Sequence, residues 1–178
     1  LDLRPRIVDT PDARPLDLAS VTGRVEFDDV WFSYPEPDVP GLEPAEPVTR
    51  RWAVQEASFV VEPGRLAALV GPTGSGKTTI SYLIPRLYDV DRGSVLLDGH
   101  DVRSLTQASV ADAIGMVTQD TYLLHATIAD NLRYAKADAT DAELEAAARA
   151  ANIHDRILSF ADGYDTVVGE RGYRLSGG

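Results

Sequence analysis

The order of apolar and polar positions predicts a mixed α/β fold in which strands dominate the first two thirds of the chain. Five segments have the β-branched, aromatic or unbroken apolar composition that is typical of strands. One of them, LAALV at 66–70, is an uninterrupted apolar run, which indicates a parallel strand covered on both faces. The pair Asp98-Gly99 predicts a tight turn. The predicted strands are residues 25–34, 52–61, 66–70, 95–97 and 114–117.

Helical periodicity begins at Lys77 and recurs in the second half of the chain. Pro85 is expected to bend or end the first helix near its last turn, because proline cannot donate a backbone hydrogen bond. The sequence Thr140-Asp141-Ala142-Glu143 is a capping box, which predicts the start of the alanine-rich helix 142–151. The apolar face of the first helix is predicted to contain Ile80, Leu83, Ile84 and Leu87; further helices are predicted at 127–134 and, continuing the alanine-rich helix, at 152–160.

Two stretches show neither a strand nor a helix period. Residues 1–20 alternate charges with three prolines, which predicts an extended connector. Residues 35–47 are dense in proline, which excludes a central strand or a helix and indicates a surface loop inserted between two strands.

Composition excludes several classes of function. The formal net charge of −11 opposes binding of nucleic acid over most of the surface, so a polyanion would need a local electropositive site. The absence of cysteine excludes disulfides and thiolate metal sites. No apolar run approaches the roughly 20 residues of a membrane helix. His100, His125 and His154 are scattered, so we expect solvated or capping roles for them rather than metal binding.

The chemistry-bearing motif is a glycine-rich loop between a predicted strand and a predicted helix. It satisfies G-x-x-x-x-G-K-[ST], the pattern of a loop whose backbone amides surround phosphates at a helix start. Lys77 would reach the β- and γ-phosphates, and the Thr78 hydroxyl would be a Mg²⁺ ligand. The simpler alternative is a turn that only joins a strand to a helix. The predicted nucleotide-binding residues here are Gly71, Pro72, Thr73, Gly74, Ser75, Gly76, Lys77, Thr78 and Thr79.

Three further motifs carry a family resemblance. Phe32-Ser33-Tyr34-Pro35, Gln119 and the terminal Leu175-Ser176-Gly177-Gly178 follow one another in the order of the ATP-binding domain of ABC transporters, and the match looks closest to multidrug and lipid exporters. The resemblance covers residues 23–178. It implies an α/β P-loop NTPase (RecA-like) core with an N-terminal antiparallel β subdomain (23–120 together), an α-helical subdomain (121–178), and a linker at 1–22 from a preceding membrane domain.

The resemblance also implies individual roles. Tyr34 would stack on adenine, although a tyrosine after a strand can equally serve packing. Gln119 would contact Mg²⁺ and the attacking water, and would otherwise be a solvated loop residue. The segment around Glu170 and Arg171 resembles the loop that senses the partner's coupling helices, or is an ordinary surface ion pair. Leu175, Ser176, Gly177 and Gly178 would meet the γ-phosphate held by the opposite domain.

The implied partners are a second ATP-binding domain, identical or different, arranged head to tail, and the transmembrane domain of an exporter at the cytoplasmic face of the cell membrane. The implied cofactors are ATP and Mg²⁺. The family's Asp-Glu strand and switch histidine follow the signature, and the sequence stops before them. We therefore expect these 178 residues to bind nucleotide without hydrolysing it. The alternatives are a soluble ABC-type ATPase, a regulatory nucleotide-binding protein and, more distantly, a small-molecule P-loop kinase.

Overall fold

The computed structural model describes residues 5–35, 51–118 and 122–169. It has the predicted mixture of helices and strands, and divides into two compact units, Leu1–Met116 and Val117–Gly178. Across these ranges no helix combines the length and the apolar character that crossing a bilayer requires. Most of the predicted proline-rich loop at 35–47 lies outside the described residues.

The first unit is built on an antiparallel sheet of four strands: β1 (Val25–Phe32), β2 (Val54–Val61), β3 (Arg92–Leu97) and β4 (His100–Asp101). Their order is β2-β1-β3-β4, with β1 at the centre between β2 and β3. Phe27, Val30 and Phe32 of β1 are buried, although 27 and 30 do not follow strict alternation, because the strand pairing shifts register between them, where Asp29 has a φ of 43°. These strands confirm the predicted antiparallel β subdomain.

A tight turn joins β3 to β4, as the sequence predicts. Asp98 and Gly99 both have positive φ values, 50° and 81°, which is the geometry of a type I′ hairpin turn. The Asp98 carboxylate accepts hydrogen bonds from the amides of Thr22 (2.8 Å) and Arg24 (2.9 Å) and from the Thr22 hydroxyl. Burial alone would raise the pKa of Asp98, but these hydrogen bonds stabilise the ionised form and lower its pKa to about 2.

Two short helices pack beside the sheet. Helix α1 (Lys77–Leu83) ends just before Pro85, as predicted, and its Leu83 is fully buried in the sheet core. Leu87 was predicted on the apolar face of this helix, but α1 ends earlier and Leu87 is half exposed. A 3₁₀ turn (Val102–Ser104) leads to α2 (Gln107–Ala113), whose first turn is capped by the Thr106 hydroxyl.

Two of the predicted strands are wrong. Residues 66–70 and 114–117 form no strand, and several of their apolar side chains face solvent, with Leu66 99% and Val117 97% exposed. A central parallel strand needs ladder partners on both edges. Within the described ranges the strand pairs are antiparallel, and the parallel contact is an isolated bridge between Arg14 and Leu105.

The second unit is helical with one small strand pair. Strands β5 (Ala126–Thr127) and β6 (Val167–Val168) pair antiparallel. The helices are α3 (Ile128–Arg133), α4 (Asp141–Ala150) and α5 (His154–Leu158), followed by a 3₁₀ turn at Gly163–Asp165. A small core of Ile128, Ala148, Ile157 and Val168 holds these elements together. The predicted helix 127–134 is confirmed as α3 with Thr127 as its N-cap.

The capping box of α4 forms as predicted. The Thr140 hydroxyl accepts a hydrogen bond from the Glu143 amide, and the Glu143 carboxylate accepts one from the Thr140 amide at 2.8 Å. Lys136 lies 2.6 Å from the same carboxylate. These contacts, with the Lys136 ammonium as the largest cause, lower the pKa of Glu143 to about 2. The predicted continuation of this helix over 152–160 is wrong, because Asn152 has a φ of 57° and separates α4 from α5.

Candidate functional site

The glycine-rich loop leads directly into α1. Gly76 is the N-cap of the helix with a φ of 84°, a conformation that side chains disfavour. A Cβ at this position would lie 2.5 Å from the carbonyl oxygen of Ala53, which immediately precedes β2. Backbone therefore passes so close to backbone here that only glycine fits without a shift.

Lys77 folds back over the loop that precedes it. Its ammonium donates to the carbonyl oxygens of Gly71 (2.9 Å) and Pro72 (2.7 Å), and lies 3.5 Å from the Ser75 hydroxyl oxygen. The loop is exposed, so the carbonyls compete with water for this charge. The one ammonium of the motif is thus held against the residues that the sequence predicts for phosphate binding.

The two threonines that follow have different environments. Thr78 is an exposed residue in the first turn of α1. Thr79 is 5% exposed, and its hydroxyl lies 3.0 Å from the Tyr34 hydroxyl. The predicted adenine-stacking residue is therefore joined to the helix that carries the glycine-rich loop.

An aromatic cluster fixes the position of Tyr34. Its ring packs edge-on against Phe32 and Tyr88, with centroids 5.0 and 5.2 Å away, yet the residue stays 45% exposed. The preceding Ser33 is fixed by the Asp91 carboxylate, which accepts from its amide at 2.8 Å. Sequence reasoning missed Tyr88 and Asp91, although both lie in the short connection between α1 and β3, where the chain returns to the sheet.

The donor set at the loop fits a magnesium ion that is held mainly by nucleotide. Mg²⁺ usually takes one or two protein oxygens together with phosphate oxygens and water. The exposed Thr78 hydroxyl can be one such oxygen, and the residues that the structure describes contain no cluster of histidines and carboxylates able to hold a metal by itself.

The histidines differ in part from the prediction. His100 and His125 are exposed. His154 is neither solvated nor a cap: it is 5% exposed, and its Nδ1 lies 2.9 Å from the Tyr164 hydroxyl. Its place in the core follows from the apolar side chains that flank it on α5, including the buried Ile157.

Several predicted site residues lie outside the described part of the chain. They are Gln119, Glu170, Arg171 and the terminal Leu175, Ser176, Gly177 and Gly178. Their predicted roles stay predictions.

The chain matches known proteins over most of its length. Residues 54–178 match the family model described as "ABC transporter". The chain is 48% identical over 172 residues to "ATP-binding cassette sub-family B member 6" of Rattus norvegicus, a match that covers 97% of this chain and 19% of that protein. It is 42% identical over 172 residues to "Iron-sulfur clusters transporter atm1, mitochondrial" of Neurospora crassa, covering 97% of this chain and 22% of that protein.

A solved structure, "Structure of a bacterial Atm1-family ABC exporter with ATP bound", matches with a TM-score of 0.80 and 39% identity. The match covers 99% of this chain and 28% of that one. The chain spans about a fifth of the length of the curated relatives it matches.

Proposed function

The chain belongs to the ABC transporter family, as an ATP-binding domain of the exporter type, and from that premise we propose that it binds Mg-ATP through residues 71–79 and powers an export reaction. The observation that carries this proposal is the position of Lys77, whose ammonium lies on the carbonyl oxygens of the loop. Among the described residues, this loop combines a lysine ammonium bound by backbone carbonyls with a glycine, Gly76, whose backbone lies too close to Ala53 for a side chain.

The phosphate group would replace the present partners of Lys77. The hydrogen bonds of Lys77 to carbonyl oxygens have one charged partner, whereas a hydrogen bond to a phosphate oxygen would have two and would add the attraction between opposite charges. The ammonium therefore gains by moving from Gly71 and Pro72 to the β- and γ-phosphates. A local site of this kind is required because the net charge of −11 repels a polyanion elsewhere.

The remaining residues of the loop and Tyr34 complete the nucleotide site. Thr78 would be a magnesium ligand, and bound magnesium would neutralise charge on the phosphates. Thr79 would act by holding Tyr34 through their hydroxyl contact, rather than by touching phosphate, since it is buried. The exposed part of the Tyr34 ring would stack on adenine.

The intact protein would work as a pair of such domains. Ser176, Gly177 and Gly178, with Leu175, would contact the γ-phosphate bound by the opposite domain, and Gln119 would contact magnesium and the attacking water. The pair would consist of two copies of this chain or of two different chains. In either arrangement a transmembrane domain would receive the work of ATP hydrolysis. We propose that this occurs at the cytoplasmic face of a membrane.

Calorimetry of Mg-ATP binding to the full-length protein tests the proposal. Lys77→Ala removes the charge at the loop and is expected to weaken binding by about 10- to 100-fold, the worth of a charged hydrogen bond. Lys136→Ala is the matched control, because this lysine is paired with Glu143 in the second unit. Equal affinity of the wild type and Lys77→Ala would contradict the assignment of the loop.

A further inference from the structure

Arg86 is a buried cation just beyond the C-terminal end of α1. Its side chain is 2% exposed. The guanidinium donates to Asp89 at 2.8 Å, to the carbonyl oxygen of Leu105 at 3.3 Å and to that of Val8 at 3.2 Å. Burying a charge costs several kcal/mol unless it is well paired, so these partners decide whether the side chain can lie here.

The backbone of Arg86 is also unusual. Arg86 has a φ of 55°, its amide donates to Leu83, and the next amide, that of Leu87, donates back to Tyr82. This is the hydrogen-bond pattern of a Schellman motif, in which the left-handed position is usually glycine. Arginine at this position is strained by roughly 1 kcal/mol or more. The side-chain contacts offset that strain.

Two of the groups around Arg86, the carbonyl oxygen of Val8 and the carboxylate of Asp9, belong to a segment near the start of the chain, residues 7–14. The carboxylate of Asp9 lies 4.0 Å from the guanidinium and accepts from the amide of Gln107 at 2.9 Å. The Gln107 side chain donates to the carbonyl oxygen of Ile7. Further along, Arg14 exchanges backbone hydrogen bonds with Ser104 and Thr106 at 3.0 and 2.9 Å. Residues 7–14 therefore lie fixed against the rest of the first unit, whereas the sequence predicted an extended connector.

We propose that Arg86 is a positioning residue that ties residues 7–14 to α1, so that the glycine-rich loop at one end of this helix is mechanically coupled to the segment at the other end. Helix α1 has seven residues, and at about 1.5 Å per residue it spans only roughly 10 Å. If nucleotide binding displaces the start of the helix, a rigid helix of this length would carry the displacement to the guanidinium. The coupling rests on the proposed nucleotide binding at the loop; the tie itself does not.

Hydrogen exchange on the full-length protein, with and without Mg-ATP, tests the proposal. In the wild type the amides of Ala13 and Arg14, which donate hydrogen bonds to Thr10 and Ser104, are expected to be protected without nucleotide and to exchange more slowly still, by about threefold or more, with it. Arg86→Gly removes the guanidinium and also relieves the positive φ, so the motif can still form. In this variant we expect at least about tenfold faster exchange of residues 7–14 and no response to Mg-ATP.

The affinity for Mg-ATP provides a second measurement, one that a purely structural role of Arg86 would leave unchanged. If nucleotide tightens the segment by some factor, loss of the segment must weaken nucleotide binding by that same factor. The affinity of Arg86→Gly for Mg-ATP should therefore fall by up to the factor that Mg-ATP exerts on exchange in the wild type, and by the full factor when the segment is released completely. Arg86→Lys keeps the charge without the planar fork, and is expected to restore protection only in part. Arg65→Gln removes an exposed arginine from the same unit and should change neither quantity.

Three results would overturn the proposal or part of its basis. Equal exchange of residues 7–14 in the wild type and Arg86→Gly without nucleotide would remove the tie. A segment that is protected by Arg86 but indifferent to Mg-ATP in a protein that binds it would remove the coupling. A wild type that binds no Mg-ATP would refute the proposed function, and the coupling with it, while the nucleotide-free comparison would still decide the tie.

Discussion

The hydroxyl of Tyr34 lies 3.0 Å from the hydroxyl of Thr79. Thr79 directly follows Lys77 and Thr78, the residues proposed to hold phosphate and magnesium. One hydrogen bond therefore fixes the aromatic side chain relative to the start of α1. Tyr34 and Lys77 are proposed to bind different parts of the nucleotide, the base and the phosphates, so substitutions can test the two contacts separately.

Substitution of Tyr34 separates the ring from its hydroxyl. Tyr34→Leu removes the stacking surface and is expected to weaken binding of ATP by about 5- to 100-fold, as loss of one base stack does. Tyr34→Phe keeps the ring and should retain most of the affinity. Calorimetric titration with Mg-ATP measures both.

Inorganic triphosphate provides the control for this pair of variants, because it has no base. Its affinity should be the same in the wild type and Tyr34→Leu. If triphosphate binding fell in parallel with ATP binding, Tyr34 would act by packing against Phe32 and Tyr88 and not by stacking on adenine.

Alanine substitutions at Gly74 and Gly76 distinguish backbone strain from close approach. Both glycines have a φ of 84°, but only a Cβ at Gly76 meets a neighbour, the carbonyl oxygen of Ala53 at 2.5 Å. Gly74→Ala should cost about 1 kcal/mol of stability from strain alone. Gly76→Ala should cost about 1 to 3 kcal/mol more, because backbone must move. Thermal unfolding of the two variants compares them, and equal losses would show that the contact with Ala53 is unimportant.

The Asp98 turn predicts a loss of stability in acid. Its pKa of about 2 in the folded protein is below the ordinary value of 3.8, so the stabilisation is complete above that ordinary value and disappears as the pH falls towards 2. Asp98→Asn, which tolerates the positive φ, should lower stability at pH 7 by on the order of 1 kcal/mol, allowing for solvent screening.

The pH dependence of that difference is the decisive measurement. The gap between the wild type and Asp98→Asn should narrow between about pH 4 and pH 2, and NMR titration of the carboxyl should give a midpoint near 2. Asp112→Asn, at an exposed position on α2, serves as the charge-matched control. A gap that stays constant through this range would contradict the assigned hydrogen bonds.

The capping box of α4 predicts a graded response at Thr140. Thr140→Ala removes the acceptor for the Glu143 amide and should cost about 1 kcal/mol. Thr140→Ser keeps the hydroxyl and should cost much less. Hydrogen exchange in the first turn of α4 reports the effect directly; identical exchange in the two variants would show that the cap does not hold the helix start.

Features that depend on neighbouring residues could be predicted from sequence. The Asp98-Gly99 turn, the capping box at Thr140 and the end of α1 before Pro85 each follow from backbone preferences within four residues. The interruption at Asn152 is the exception among local features, since asparagine tolerates positive φ without requiring it.

Features that depend on contacts between residues far apart in the sequence could not be predicted. Apolar composition at 66–70 and 114–117 indicates a need for burial, but it does not supply the strand that must pair with them. The contact of Arg86 with Val8 joins residues 78 positions apart, and nothing in the local sequence marks arginine as the left-handed residue of a helix end. The Tyr34–Thr79 contact joins two motifs that lie 45 positions apart in the sequence.

The uncovered apolar side chains at 66–70 have a practical consequence for anyone handling these 178 residues alone. Leu66 and Val70 are 99% and 89% exposed, and Val117 is 97% exposed. Exposed apolar side chains of this kind favour association between molecules, because association removes them from water. These 178 residues in solution should form oligomers and precipitate as the protein concentration rises, and light scattering would detect the oligomers first.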